Sequence, residues 1–480
     1  MTAEFGTLKA RIVSGAFFSG GSQILRQLVQ LGAIALLARV LGPEPYGLLA
    51  LAVAVLGLVQ LGVEFGLGAS VVREQELSPQ QESTLLKLSM GAGLVLCALV
   101  EASAPWVARL FREPELTWVL RGVAPGYLLV GALSTRRAKL QRAMRFRLTA
   151  GIDLLAVAVG AATSILLAIA GMGTVSLVLG MVAHHLCWSL AVVLAAGLPP
   201  RAPLDLASIQ PLLQYGGWLT GFGVVNYFAR TLDNMLVGGL MGRAALGLYE
   251  KSYALMMLPV TQISAVLAQV MHPALSSVRA DQERFTFLYL GAVRKVAGLA
   301  FPLAAICITG AEPIVGILLG ERFSPAVPIF QALSLVMALQ ALLGSVGWIY
   351  LASGRTRTMF FWGTLNAGVV CAFIVFGALR GSPLAVARAY SIAIALLFLP
   401  SLAVALRAGA IPRRAFFGRV AAPALSAAAA CLLARWIPGL TGLRAPLAAA
   451  GIYLAAHLLL DRRALVDLIR FLDPRRAFGG

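Results

Sequence analysis

Fourteen stretches of about 20 predominantly apolar residues, centred near residues 26, 58, 95, 127, 159, 185, 227, 259, 300, 339, 369, 395, 427 and 452, follow one another along the chain. A stretch of that length matches the thickness of a bilayer core. With no water there to satisfy backbone N–H and C=O groups, each stretch must close its own hydrogen bonds as a helix. The chain is therefore expected to be an all-α polytopic membrane protein of about 14 transmembrane helices. Composition agrees, since 59% of the 480 residues are apolar and only 12% charged, about half the charge of a soluble protein.

The loops set an orientation. A fourteen-span topology with both termini cytoplasmic places most Lys and Arg on the inside, as the positive-inside rule requires. The strongest contribution comes from Arg136, Arg137, Lys139, Arg142, Arg145 and Arg147, which read as the loop after span four. A net charge of +19 would suggest nucleic acid in a soluble chain. Here the basic residues lie in short turns and in the tail Arg462 to Arg476, so anionic phospholipids are the expected partner and nucleic acid is not. The polar start Met1 to Arg11 runs into a span too long for a cleavable signal, which reads as a retained anchor.

Chemistry-bearing motifs are few. Cys97, Cys187, Cys307, Cys371 and Cys431 fall in spans without a CxxC pairing. His184 and His185 are adjacent, His272 precedes Pro273 and His457 is isolated, so no metal site is expected. There is no G-x-x-x-x-G-K-[ST] phosphate loop, and the polar connections are too short to fold alone. The expectation is a chain with no catalytic residues and no cofactor. Its work would be driven by an H+ or Na+ gradient, the membrane potential, the substrate gradient or a partner.

An internal repeat organises the spans. At an offset of 200, Gly21 aligns with Gly221, Leu36 with Leu236, Gly42 with Gly242, Gly47 with Gly247 and Leu58 with Leu258. Further on the offset drifts, but Pro105 aligns with Pro313, Arg142 with Arg355 and Asp153 with Asn366. Six spans map onto six, and because six is even the repeat is parallel, with its pseudo-two-fold axis along the membrane normal. The expected domains are a six-helix lobe at 1–200, a second at 201–410, and two additional helices with a basic cytoplasmic tail at 411–480. Gly62-x-x-x-Gly66, Gly217-x-x-x-Gly221 and Gly316-x-x-x-Gly320 are candidate close-packing motifs.

Two of the repeated spans carry polar stripes. Gln23, Arg26, Gln27 and Gln30 share one face of span one, and Asn226, Arg230, Asp233 and Asn234 share one face of span seven. Arg at mid-bilayer costs about 2.5–3.5 kcal/mol on insertion scales, so each Arg is a candidate for a ligand or pathway. Arg26 has only amides within a turn on its own helix, whereas Arg230 can pair with Asp233 or Glu250. A guanidinium among amides suits a phosphate or diphosphate, which it grips bidentately. Lys251 is a further candidate binding residue. Asp233, Glu64 and Glu250 are candidates for ion coupling, with an ion-pair role as the alternative. Glu250 and Lys251, being adjacent, are expected to point to different sides.

Leu37-Ala-Arg-Val-Leu-Gly-Pro-Glu-Pro-Tyr-Gly and its echoes, Arg230-Thr-Leu-Asp-Asn-Met-Leu-Val-Gly-Gly and Ala245-Leu-Gly-Leu-Tyr, resemble the polysaccharide-transporter family, the Wzx-type oligosaccharide flippases of the multidrug/oligosaccharidyl-lipid/polysaccharide exporter superfamily. The resemblance implies a two-lobed helical transporter of the bacterial inner membrane. It would move an undecaprenyl-diphosphate-linked oligosaccharide from the cytoplasmic to the periplasmic leaflet by alternating access, for O-antigen, capsule or exopolysaccharide synthesis. Cationic residues in the central cavity of such proteins are thought to engage the diphosphate, a role for which Arg26 and Arg230 are suitably placed. The last two spans could offer an apolar groove to the lipid tail, and a polysaccharide polymerase and glycosyltransferases would be partners. Three other readings stay open: a lipid II flippase, a multidrug or cation exporter of the same superfamily, and a membrane-embedded polymerase.

Overall fold

Each of the fourteen expected centres falls within a helix of the computed structural model, which describes residues 2–64, 67, 71, 77–198, 202–437 and 442–461, apart from the side chains of residues 2–20 and of a few other helical residues. The first six long helices are α1 (Thr2–Leu41), α2 (Pro43–Glu64), α3 (Pro79–Leu110), α4 (Leu116–Arg142), α5 (Phe146–Ile169) and α6 (Thr174–Ala196). After a linker come α7 (Gln210–Met241), α8 (Arg243–Ser277), α9 (Gln282–Thr309), the short α10 (Ala311–Leu318) and α11 (Val327–Ser334), and α12 (Met337–Ala352). The chain then continues through α13 (Thr356–Ala378), α14 (Pro383–Ala408), α15 (Arg413–Trp436) and α16 (Arg444–Leu460). No strand occurs among the described residues. Ten of their helices are long and apolar enough to cross a membrane, eleven if the bent pair is one span.

That bent pair is span ten, read from sequence as one helix. A 3₁₀ turn, Glu321–Ala326, runs into α11, and α12 leaves at 48°. At the break the Val336 amide donates to the Leu333 carbonyl at 3.2 Å, an i to i−3 bond, and Val336 lies at φ −104°, ψ 2°. The last turn has tightened to 3₁₀ geometry, which redirects the axis.

The repeat is written into the turns. Gly42 and Gly242, 200 residues apart, close α1 and α7 with φ of 77° and 84°. Their amides bond the Ala38 and Gly238 carbonyls at 3.0 and 3.2 Å, a left-handed cap that a Cβ would strain. Just beyond, the starts of α2 and α8 meet reciprocally. A methyl on Gly47 would strike the Arg243 carbonyl, and one on Gly247 would strike the Pro43 carbonyl. Swapping each residue for its counterpart leaves the contact unchanged, so these two turns pack about a local two-fold. In the same unit Phe111 lies against Gly239 and Arg39 against Gly320.

By compactness the described chain divides into Met1–Gly247 with Leu318–Arg322, and Leu248–Ile317 with Phe323–Gly480. In the first unit α7 packs on α2, where the Tyr227 hydroxyl donates to the Ala54 carbonyl at 2.8 Å. In that first unit α1 lies along α5 and α5 along α6. The α5–α6 approach depends on Gly160 and Gly180, where an added Cβ would collide with the facing backbone. Small residues let membrane helices gain dispersion contacts and close approach that lipid cannot supply. Of the candidate small-residue motifs, Gly221 and Gly316 face open space, and Gly66 lies outside the described residues.

In the second unit α15 and α16 dock on α9 through Ala305, Ala427, Ala430, Ala434, Ala449 and Tyr453. Arg294 of α9 grips both Asp461 carboxylate oxygens at 2.7 Å. Leu432, Leu447 and Leu459 of the same two helices are exposed, so an alanine seam faces protein and a leucine face turns outward. The basic tail beyond lies outside the described residues.

Gly47→Ala is expected to destabilise the protein by about 1–3 kcal/mol through overpacking against fixed backbone. Gly21→Ala, with nothing within 4 Å of the added Cβ, is expected to leave thermal unfolding in detergent unchanged.

Candidate functional site

The amides on α1 account for only part of the environment of Arg26. Its Nη2 donates to the Gln23 side-chain oxygen, but α5, packed alongside, brings Asp153 to 3.9 Å from Nη1. The same Asp153 Oδ2 accepts from Arg137 Nη2 at 2.6 Å, and the Trp188 indole N–H donates to Oδ1 at 3.0 Å. The Arg137 guanidinium also stands 5.8 Å from the centre of the Trp188 ring. Four helices thus converge on one carboxylate: α1, α4, α5 and α6. No acid lies within a turn of Arg26 on α1, and the carboxylate it meets comes from α5.

Two guanidiniums on one carboxylate leave a surplus positive charge, and the arrangement is open. The side chains of Arg26 and Arg137 are 31% and 36% exposed, and that of Asp153 17%. The Nε–H of each arginine is buried without a hydrogen-bond partner, a donor that costs about 1–3 kcal/mol to leave unmet. Asp153 is the eighth residue of α5, about 10 Å along the axis from its start, and Arg137 lies about 8 Å from the end of α4. The cluster therefore sits toward the α4–α5 turn rather than at mid-depth, as Arg26 alone suggested.

Arg136 and Arg137 are neighbours with opposite fates. Successive helical residues diverge by about 100°, so Arg137 reaches Asp153 while Arg136 turns to Glu82 at the start of α3. Arg136 is 3% exposed and places both terminal nitrogens on Glu82 Oε2 at 2.8 and 3.0 Å. Its Nε donates to the Gly197 carbonyl, and Lys139 bonds the other Glu82 oxygen at 2.8 Å. Around this network Gln81 donates to the Ser208 carbonyl at 2.8 Å, and the Asp205 amide to Thr84 Oγ1 at 3.1 Å. The group fastens the linker after α6 to the ends of α3 and α4. The basic run read as a loop begins as helix, since α4 continues to Arg142, and three of its cations are held by carboxylates.

The remaining candidates are dispersed. Arg230 and Gln30 are exposed. Asp233, one turn from Arg230, is buried and accepts from the Asn234 amide at 2.8 Å. The side chain of Asn226 lies outside the described residues, and Gln27 is half-buried. Glu64 accepts from Gln60 at 2.7 Å. Lys251 and Glu250, expected to diverge, meet at 3.0 Å, because long side chains on adjacent positions can curl toward each other. Asn366, the counterpart of Asp153, donates to Ser401 Oγ at 3.0 Å. Both fastenings join residues 35 apart, Asp153 with Trp188 and Asn366 with Ser401.

Residues 36–328 match a family described as "Polysaccharide biosynthesis protein". The lipopolysaccharide biosynthesis protein WzxC of Escherichia coli is 22% identical over 77% of this chain and 76% of its own. Among solved structures, the lipid II flippase MurJ in an inward closed conformation superposes with a TM-score of 0.78 at 16% identity, covering 95% of this chain and 100% of that one. An inward-facing multidrug resistance MATE transporter of the MOP superfamily gives 0.62 at 14% identity, covering 80% and 95%. The two structural likenesses are of fold.

Glu82→Gln would leave Arg136 buried without its counter-ion and is expected to cost about 3–5 kcal/mol. Glu101→Gln, which breaks the half-exposed pair with Arg121, is expected to cost less than about 1 kcal/mol. Thermal unfolding of the two variants in detergent compares them.

Proposed function

We propose that this chain, which belongs to the polysaccharide biosynthesis protein family, is a flippase that carries a polyprenyl-diphosphate-linked oligosaccharide across the bacterial inner membrane. The observation that carries the reading is the Arg26–Asp153–Arg137 cluster, a net cation with unfilled guanidinium donors inside a helical membrane unit. Guanidinium is the side-chain group best matched to phosphate oxygens. Such a cargo has three parts, and each needs a different surface: a polar path for sugars, cations for the diphosphate, and lipid contact for the tail. Within the first unit, amides at Gln23, Gln27 and Asn234 suit the first, the cluster the second, and the exposed Leu25 and Leu28 beside Arg26 on α1 the third.

With both termini cytoplasmic, the α4–α5 turn faces the cytoplasm, and the cluster receives cargo from that side for release to the other. Energy comes from an H+ or Na+ gradient or the membrane potential. The cargo is an undecaprenyl-diphosphate-linked repeat unit made by glycosyltransferases and passed to a polymerase. A lipid II headgroup is the second reading, favoured by the near-complete structural overlap with the lipid II flippase.

Arg26→Ala and Arg137→Ala, at normal expression, are each expected to lower flipping roughly 10- to 100-fold, the equivalent of a charge-assisted bond, and Arg230→Ala to lower it less. The measurement is complementation of strains lacking either an oligosaccharide or a lipid II flippase, with the lipid-linked intermediate assayed. Undiminished flipping by both cluster variants would overturn the reading, and the strain rescued identifies the headgroup.

A further inference from the structure

We infer that Asp153 is an internal counter-anion that the cargo diphosphate displaces from the two guanidiniums, so that the carboxylate sets how readily cargo is released. The inference rests on the flippase reading and concerns regulation of the same site.

Two carboxylate clusters in one helical unit show the difference. Glu82 is closed, with its two oxygens shared by a buried arginine and a lysine at 2.8–3.0 Å. Asp153 is divided. Its Oδ1 is held by the Trp188 indole, whereas Oδ2 alone serves Arg137 at 2.6 Å and Arg26 at 3.9 Å. One oxygen is an anchor and the other is a lure for two cations that it does not saturate. The Nε–H of both arginines is unmet, so donors outnumber acceptors in a partly exposed site.

A diphosphate presents oxygens on two phosphorus atoms, enough to take both guanidiniums at once. Asp153 can yield Oδ2 and keep Oδ1 on Trp188, which holds the carboxylate beside the site ready to return. Return of the carboxylate lowers the cost of parting from the cargo, because the arginines exchange one anion for another and are never left bare. A carboxylate that served only to neutralise the arginines would predict the opposite mutational result, since its removal would disorder them and weaken binding.

The test uses the full chain in detergent, with undecaprenyl diphosphate as probe and undecaprenyl monophosphate as comparison. Asp153→Asn keeps the shape and an acceptor for Trp188 but removes the competing charge. It is expected to bind the diphosphate about tenfold more tightly than the parent, the scale of a close charge–charge coupling, and to flip more slowly because release is impeded. The monophosphate is expected to gain less. Trp188→Phe, which removes the indole donor to Oδ1 but keeps a ring beside Arg137 and all three charges, is expected to tighten diphosphate binding severalfold and decides the matter if the Asn variant does not fold. Equal or weaker binding by folded Asp153→Asn, or by Trp188→Phe in its place, overturns the exchange. If Arg26→Gln and Arg137→Gln leave diphosphate binding unchanged, the flippase reading of the cluster fails instead.

Discussion

A guanidinium set in an apolar helix must find an anion, and the first unit is arranged around that need. Arg26 lies on a helix that supplies no acid within reach, so its charge can be accommodated only by bringing another helix alongside. The approach of α1 to α5 and of α5 to α6 answers this, and the latter depends on glycines that admit backbone to within contact distance. Asp153 then has Arg26, Arg137 and the Trp188 indole around it. Removing Asp153 would leave two guanidiniums without their carboxylate, whereas removing either arginine leaves the other on it.

Glu82 and Asp153 are a closed and an open version of one ionic arrangement. Both carboxylates gather two cations, yet one is sealed at the junction of α3, α4 and the linker, and the other is open with donors to spare. Adjacent arginines on α4 feed the two clusters. Helical geometry alone, by turning successive residues about 100° apart, sends one charge to the sealed cluster and the next to the open one.

Much of the fold was legible because bilayer helices advertise themselves by length and apolarity, and because the repeat leaves glycines such as Gly42 and Gly242 at a fixed offset. The site was legible only in part. Arg26 and its amides stand on one helix with a readable period, but Asp153 comes from a helix more than a hundred residues away, and no local pattern reports such a meeting. A signal existed nonetheless: an acid eight residues into an otherwise apolar span is itself costly, and it appeared in the sequence only as the counterpart of Asn366. Arg136 and Arg137 were obscured differently, since dense charge reads as loop although α4 continues through them to Arg142. The break in span ten had no proline at the bend to announce it, and Gly221 and Gly316 have the spacing of packing motifs without facing a partner.

The two fastenings at equal spacing, Asp153 to Trp188 and Asn366 to Ser401, differ in what they permit over evolutionary time. An amide–hydroxyl bond can lose a partner for about 1 kcal/mol, so its residues can drift one substitution at a time. A carboxylate shared by two arginines is constrained unevenly, because either arginine can change while the other keeps Asp153 paired, but loss of Asp153 leaves both arginines without a carboxylate. The repeat gives both positions the same frame, and the ionic one is expected to change only together with its arginines.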